Sequence, residues 1–405
     1  MRICMLSYSF YESDSRILQY VSALQERGDV VDVFALRRKG DARLEVFGGA
    51  NLYRIQYREV NECGPLSYLF RILRFFLVAF WSIAKQDVLE PYDVVHVHSV
   101  PDFLVFAALI PKIRGAKVIL DIHDILPEFY ASKFGAVSDG LLFQSLTLIE
   151  KISAAFADFV IIANEIWYDR LTHRSVNAAK CETIRNYPDS RFFYERPKRP
   201  RDGKFILLYP GSLNRHQGLD IAIRAFSKIA DRILDAEFHI YGEGPAKGEL
   251  MGLSKQLGLV NRIWFHEPVA GDRVGDIMAN SDLAVVPKRA STTFGNEAAS
   301  TKIMEFMAVG VPVIVARTQI DTLYHDETMV KFFASGDESD LADAIELLWS
   351  DPVLRAALVA AGARYVSENN WNIKKQDYLA ILDGLVSSRM RTRQYRLFAH
   401  GASRN

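Results

Sequence analysis

Short apolar, often β-branched runs alternate with amphipathic stretches along nearly the whole chain, in two series separated by one stretch without periodicity. Residues 3–7 (ICMLS) have the length and character of a buried strand. Residues 15–27 (SRILQYVSALQER) carry apolar side chains at helical spacing, Gly28 closes that helix, and residues 30–35 return to strand character. Further strands are predicted over 92–97, 117–122 and 158–163, with a helix over 103–113 and another starting near Glu165. Unbroken apolar runs suit strands covered on both faces, and strands joined through helices run parallel. After the Pro- and Arg-rich stretch 187–203 (YPDSRFFYERPKRPRDG) the pattern resumes, with strands at 205–209, 237–241, 263–266, 283–286 and 311–315 and a helix at 219–230. A chain of 405 residues exceeds the size at which one core stops growing. The expected class is therefore α/β, as two Rossmann-like doubly wound parallel-sheet domains facing a cleft, with ligands at the carboxyl ends of strands.

Basic and acidic residues balance at 49 each, so nothing global argues for nucleic acid. Cys4, Cys63 and Cys181 are far apart in sequence, which fits a reducing compartment and no disulfide framework. The apolar run after Arg2 is too short for a signal peptide. Residues 66–84 (LSYLFRILRFFLVAFWSIA) are apolar but broken by Arg71 and Arg74, whereas a spanning helix needs about 20 apolar residues. This segment is expected to pack on the protein or lie at an interface. His96 and His98 alternate on one strand and share a face; a metal site needs a third ligand, which the sequence does not signal, so they are expected to be structural.

Polar chemistry concentrates in residues 294–316 (FGNEAASTKIMEFMAVGVPVIVA). Small residues Ala298, Ala299, Ser300 and Thr301 open a helix whose first amides lack intrahelical partners, a natural seat for a diphosphate. Glu305, about one turn in, is placed to accept hydrogen bonds from a ribose, and Glu297 sits on the loop where a sugar would lie.

This spacing of two glutamates resembles the E-x7-E signature of the group 1 (family 4) retaining glycosyltransferases, which have the GT-B fold. The variant STKIMEFMAVGVPV is similar to bacterial members that build exopolysaccharide and O-antigen. Tyr209-Pro210-Gly211-Ser212-Leu213 and His216-Gln217-Gly218 resemble the family's diphosphate-holding strand and loop, with Ser212 and Gln217 where Arg and Lys are usual. Arg215 and Lys302 are the nearby cations that substitute as phosphate clamps under this reading. Gly242 and Glu243 match the strand-end G-x-G-P turn, and His266 lies where relatives cradle the base. His123, at the end of the run KVILDIHD, matches the histidine that contacts the transferred sugar, with Asp124 beside it. Ser9 and Arg16 occupy the place of the acceptor loop, which here lacks the usual Gly-Gly pair.

The resemblance implies an acceptor-binding domain over 1–190, completed by a returning terminal segment 373–405, and a nucleotide-sugar domain over 191–372, with Trp371 packed at the crossover. It implies a UDP- or GDP-sugar donor, a lipid-linked glycan acceptor, catalytic roles for His123 and Glu297, and no metal or cofactor. Arg37-Arg38-Lys39, the 66–84 helix and the arginine-rich tail 389–405 point to a cytoplasmic protein held on the anionic inner membrane surface. Two other functions share the pattern: a nucleotide-sugar epimerase of the same fold and a non-catalytic nucleotide-binding scaffold.

Overall fold

The computed structural model describes residues 1–58, 65–134, 140–198, 203–269 and 271–401, with side chains described except at 65–67, 131–134, 271–272 and 388–401. Cys63 and the basic side chains of the tail lie outside the described residues. The chain divides into two compact units, Met1–Arg185 with Lys374–Asn405, and Asn186–Ile373.

In the first unit eight strands form one sheet: β1 (Arg2–Ser7), β2 (Val30–Arg37), β3 (Leu44–Phe47), β4 (Ala50–Tyr57), β5 (Val94–Ser99), β6 (Lys117–Ile122), β7 (Phe159–Ile162) and β8 (Cys181–Thr183), in the order β3-β4-β2-β1-β5-β6-β7-β8. Every pair is parallel except β3 with β4. The order reverses between β1 and β5, where Met5 pairs with His96 and Ser7 with His98. β5 is buried at every position, as an apolar run covered on both faces requires.

The helix Ser15–Glu26 is capped by Asp14, whose side chain accepts from the amide of Ile17, and it buries Ile17, Tyr20, Val21 and Leu24 along one stripe. The helix expected over 103–113 is two pieces, a 3-10 segment Asp102–Ala108 and a short α-helix Leu109–Ile113. Pro111 has no amide to donate, so it is tolerated only in a first helical turn, and the α-helix begins just before it. The edge hairpin β3–β4 was not anticipated: Leu44, Val46 and Phe47 are exposed, so they lack the buried-strand pattern. The helix Pro65–Leu89 turns Ile72, Phe75, Ala79 and Ile83 inward and leaves Phe70, Leu77 and Trp81 in solvent. Among the described residues no helix is long and apolar enough to cross a membrane.

The second unit has an all-parallel sheet of β9 (Phe205–Pro210), β10 (Ala236–Tyr241), β11 (Ile263–His266), β12 (Leu283–Val286), β13 (Val313–Arg317) and β14 (Lys331–Ala334), ordered β11-β10-β9-β12-β13-β14. Alternate residues feed two cores, so Leu207 and Tyr209 join Phe226 and Phe238 on one face while Leu208 joins Phe306 and Val315 on the other. The helix Leu219–Ile229 buries Leu219, Ala222, Ile223, Phe226 and Ile229 on one side. The terminal helix, Trp371–Gly401, starts in the second unit and from Lys374 belongs to the first. There Tyr378 is fully buried, its ring centroid 4.3 Å from that of Tyr20 and 5.6 Å from that of His96.

Candidate active site

The second unit holds a pocket of about 460 Å³ at the carboxyl ends of β9 and β10, beside the point where the strand order reverses. Its polar wall is Gly211, Ser212, Gly242, Glu243, Thr301, Lys302 and Glu305, and its apolar wall includes Phe193, Tyr241, Pro268, Val269 and Val274.

Two glycines make this shape possible. Gly211 has φ +147° and Gly242 φ +149°, a region that side chains disfavour. A Cβ on Gly242 would lie 1.9 Å from the carbonyl oxygen of Gly211, and one on Gly211 would lie 2.3 Å from Cε of Lys302. The strand ends therefore close on each other and on the lysine stem. The amide of Gly211 donates to Tyr241 O at 2.8 Å, and that of Gly242 donates to His266 O at 3.1 Å, continuing the ladder into the pocket wall.

The helix Thr301–Ala308 begins at this wall, with Ser300 at its N-cap and no side chain capping its first amides. Such an end carries partial positive charge. Lys302 lies 5.4 Å from the centroid of the Tyr209 ring. Burial pushes its ammonium down, opposed by Glu305 and assisted by Lys288. Burial likewise pushes the Glu305 carboxyl up, opposed by Lys302 and by a hydrogen bond from Thr301. Behind the loop, Lys288 Nζ donates to Ala298 O at 2.6 Å and pairs with Asp321 at 2.9 Å, fixing the turn that presents the helix.

Seven of the expected donor residues thus meet at one wall. Three do not line it. Arg215 is 83% exposed and pairs with Glu249 at 3.1 Å, outside the pocket lining. His266 stacks on Tyr241, with centroids 4.1 Å apart and planes 14° apart, so it backs the pocket through that ring. Ser300 turns its hydroxyl into the protein, where Oγ is buried without a hydrogen-bond partner. Glu297 ends the short helix Thr293–Glu297 and is buried, outside the pocket lining. Pro268 and Val269 belong to the stretch 264–269 that the resemblance places at the base, whereas sequence reasoning passed over Phe193 and Val274; the aromatic pair Phe192-Phe193 inside an otherwise polar stretch was the available signal.

In the first unit the carboxyl ends of β5 and β6 gather a second polar group. Asp121 is fully buried and receives Arg16 Nε and Nη2, each at 2.8 Å. Arg16 is itself buried, and both of these donors go to Asp121. His123, 21% exposed, sits with Nε2 3.3 Å from Asp121 Oδ2. Ser9 donates to Asp14 at 3.0 Å, and burial pushes the Asp124 carboxyl up, opposed by His123. Among the described residues, His96, His98 and Asp121 offer ligand atoms within 4.8 Å of one another, the third ligand that sequence spacing could not reveal. A divalent ion there would share its only carboxylate with a guanidinium bound to both oxygens, which weighs against a resident metal.

Two family models match the chain, a glycosyl transferase 4-like domain over residues 13–187 and glycosyl transferases group 1 over residues 204–351. The chain is 26% identical over 190 residues to a phosphatidyl-myo-inositol mannosyltransferase of Mycobacterium leprae, covering 47% of this chain and 49% of the relative. It is 29% identical over 207 residues to a D-inositol 3-phosphate glycosyltransferase of Rhodococcus opacus, covering 49% and 43%. The matched part thus spans about half the length of these curated relatives. Among solved structures, a sucrose-phosphate synthase from Thermosynechococcus elongatus superposes with a TM-score of 0.75 at 19% identity, over 99% of this chain and 100% of its own. Anabaena HepE in complex with UDP and glucose superposes with a TM-score of 0.71 at 17% identity, over 95% and 100%. At those identities the likeness is one of fold.

Proposed function

Because this chain belongs to the group 1 glycosyltransferases and has the GT-B fold, we propose that it moves a sugar from a UDP- or GDP-sugar to a lipid-linked acceptor, with retention of configuration, in the building of cell-surface polysaccharide. The observation that carries this reading is the pocket where Gly211, Gly242, Lys302 and the opening of the Thr301–Ala308 helix converge. The free amides at that opening and the Lys302 ammonium meet the diphosphate, Glu305 accepts from the ribose, and the apolar wall of Phe193, Pro268 and Val269 receives the base. As the bond between sugar and phosphate breaks, the same amides and Lys302 hold the charge that develops on the leaving diphosphate. The acceptor hydroxyl forms the new bond to the sugar carbon, and its proton passes to a phosphate oxygen. Glu297 and His123 orient the sugar. No metal is needed in this scheme, since helix amides and one lysine offset the charge.

The apolar outer face of the Pro65–Leu89 helix supports a membrane-side acceptor. Phe70, Leu77 and Trp81 on it are exposed, as are Leu141, Leu148 and Ile152 of the helix Leu141–Phe156 in the same unit. We infer that these residues rest on an anionic bilayer.

The test is transfer of radiolabel from UDP- and GDP-sugars into organic-soluble lipid, using the purified protein and a bacterial lipid extract. Labelled lipid is expected with one donor. Label that stays water-soluble as an epimer would show the epimerase instead, and a protein that binds donor without changing it would be a scaffold.

A further inference from the structure

Lys288, two residues beyond β12, is only 3% exposed. Its ammonium has two partners, Asp321 Oδ2 at 2.9 Å and the carbonyl oxygen of Ala298 at 2.6 Å. Asp321 is equally buried, and its Oδ2 also accepts from Thr318 Oγ1 at 2.6 Å. Thr318 caps the helix Gln319–Tyr324 by accepting from the amide of Asp321, so the carboxylate is held at its own helix end. Two further contacts tie this assembly down: the amide of Gln319 donates to Asn296 Oδ1 at 2.8 Å, and Ser335 Oγ donates to the Lys288 carbonyl at 3.0 Å. Buried ion pairs can often be exchanged for apolar side chains without loss of stability, so stability alone does not account for this one.

The pair orients one peptide unit. The Ala298–Ala299 peptide is trans, so its carbonyl and its amide point opposite ways. With the carbonyl drawn inward to Lys288, the Ala299 amide faces outward. Ala299 is exposed, and its amide has no hydrogen-bond partner among the described residues. It lies between Glu297 and the Thr301–Ala308 helix, just ahead of the residues that line the pocket. Turned over, this peptide would present the negative end of a carbonyl dipole at the place where an anion is to be held. Lys288 is also close enough for its charge to help push the Lys302 ammonium down.

We propose that Lys288, held by Asp321, is a positioning residue of the donor site: it keeps the Ala298 carbonyl inward, so that the Ala299 amide donates to an oxygen at the sugar end of the diphosphate. Chain order gives the sugar end, since Thr301 and Lys302 meet the phosphates in the pocket and Ala299 precedes them on the Glu297 side. The inference rests on the transferase reading for the identity of the ligand, whereas the orientation of the peptide does not.

The test uses two variants of the full chain that reach the same amide by different routes. Lys288→Met with Asp321→Leu removes both buried charges and takes from the Ala298 carbonyl its donor; if that protein fails to fold, Lys288→Met with Asp321→Asn keeps an acceptor for Thr318 and takes its place. Ala299→Pro deletes the amide and leaves the ion pair alone, and Ala298, at φ −75° and ψ 118°, already has the extended backbone that precedes a proline. In calorimetric titrations, UDP or GDP should bind each variant about tenfold more weakly than wild type, while UMP and GMP stay within about twofold. Combining the two should weaken diphosphate binding no further, because Lys288 acts through the amide that proline has already removed. Additive losses, equal losses for mono- and diphosphates, or undiminished diphosphate binding would overturn the proposal. A ligand-free crystal structure of the Lys288 and Asp321 double variant reads the peptide without any nucleotide: the Ala298 carbonyl should turn outward, and one still directed inward would also overturn it. Wild type without affinity for either diphosphate would sink the transferase reading, whereas a wild type that binds and variants that bind equally well would sink only this inference.

Discussion

Replacing Lys302 with methionine keeps most of the side chain's length and removes its charge. The lysine stem lies against Gly211, whose added Cβ would fall 2.3 Å from Cε and 3.0 Å from Nζ, so the absence of a side chain there is what admits the lysine to the wall. Burial already pushes the ammonium down, with Glu305 opposing and Lys288 assisting. The charge is therefore held at some cost in the empty pocket, and that cost is offset when an anion arrives. A hydrogen bond to a charged group contributes about 1.5–3 kcal/mol, and about 1.4 kcal/mol is a factor of ten in affinity. Lys302→Met should weaken UDP or GDP binding by about 10- to 150-fold, while the ligand-free protein melts at the same temperature or higher. Isothermal titration calorimetry with the diphosphates and the corresponding nucleosides measures the binding, and a thermal scan of the ligand-free protein measures the melting. The nucleosides, which lack phosphate, should bind wild type and variant alike. Diphosphate affinity within about twofold of wild type would refute the placement of the phosphates beside Lys302.

Arg215→Ala should leave diphosphate affinity within about twofold in the same titration, because Arg215 is exposed, paired with Glu249 and outside the pocket; a tenfold loss would restore it as a clamp. Asp102, hydrogen-bonded to Ser99, is pushed up to about 7 by burial. The native state then holds a proton that the unfolded chain has lost, so stability falls as pH rises from about 4 to about 7. Asp102→Asn should remove that fall, read as the slope of melting temperature against pH; an unchanged slope would contradict it. Leu77→Glu with Trp81→Glu changes two exposed side chains and should shift stability by no more than about 0.5 kcal/mol per site. Sedimentation with phosphatidylglycerol vesicles should nevertheless fall sharply, and undiminished binding would remove this helix face from the membrane.

Strands covered on both faces were legible in the sequence because burial leaves a largely apolar run; Lys117–Ile122 and Leu283–Val286 are such runs. The hairpin Leu44–Phe47 with Ala50–Tyr57 was not, since its outer strand faces solvent and carries no periodic signal. At the site, Gly211, Gly242, Lys302 and Glu305 were legible because local backbone demands and helix position are written in adjacent residues. Arg16 and Asp121 were not, for they meet across 105 positions and a buried arginine looks like a surface one until its partner is placed. Arg215 illustrates the converse: proximity in sequence to Gly211 and Gly218 suggests a clamp, while in the structure its side chain is exposed beside Glu249 of the Lys247–Gln256 helix.

The most direct measurement is a crystal structure with a bound nucleoside diphosphate sugar. The diphosphate should lie within hydrogen-bonding distance of the Thr301 and Lys302 amides, with the ribose on Glu305. A nucleotide bound away from the Thr301–Ala308 helix, with those amides still facing solvent, would contradict the account.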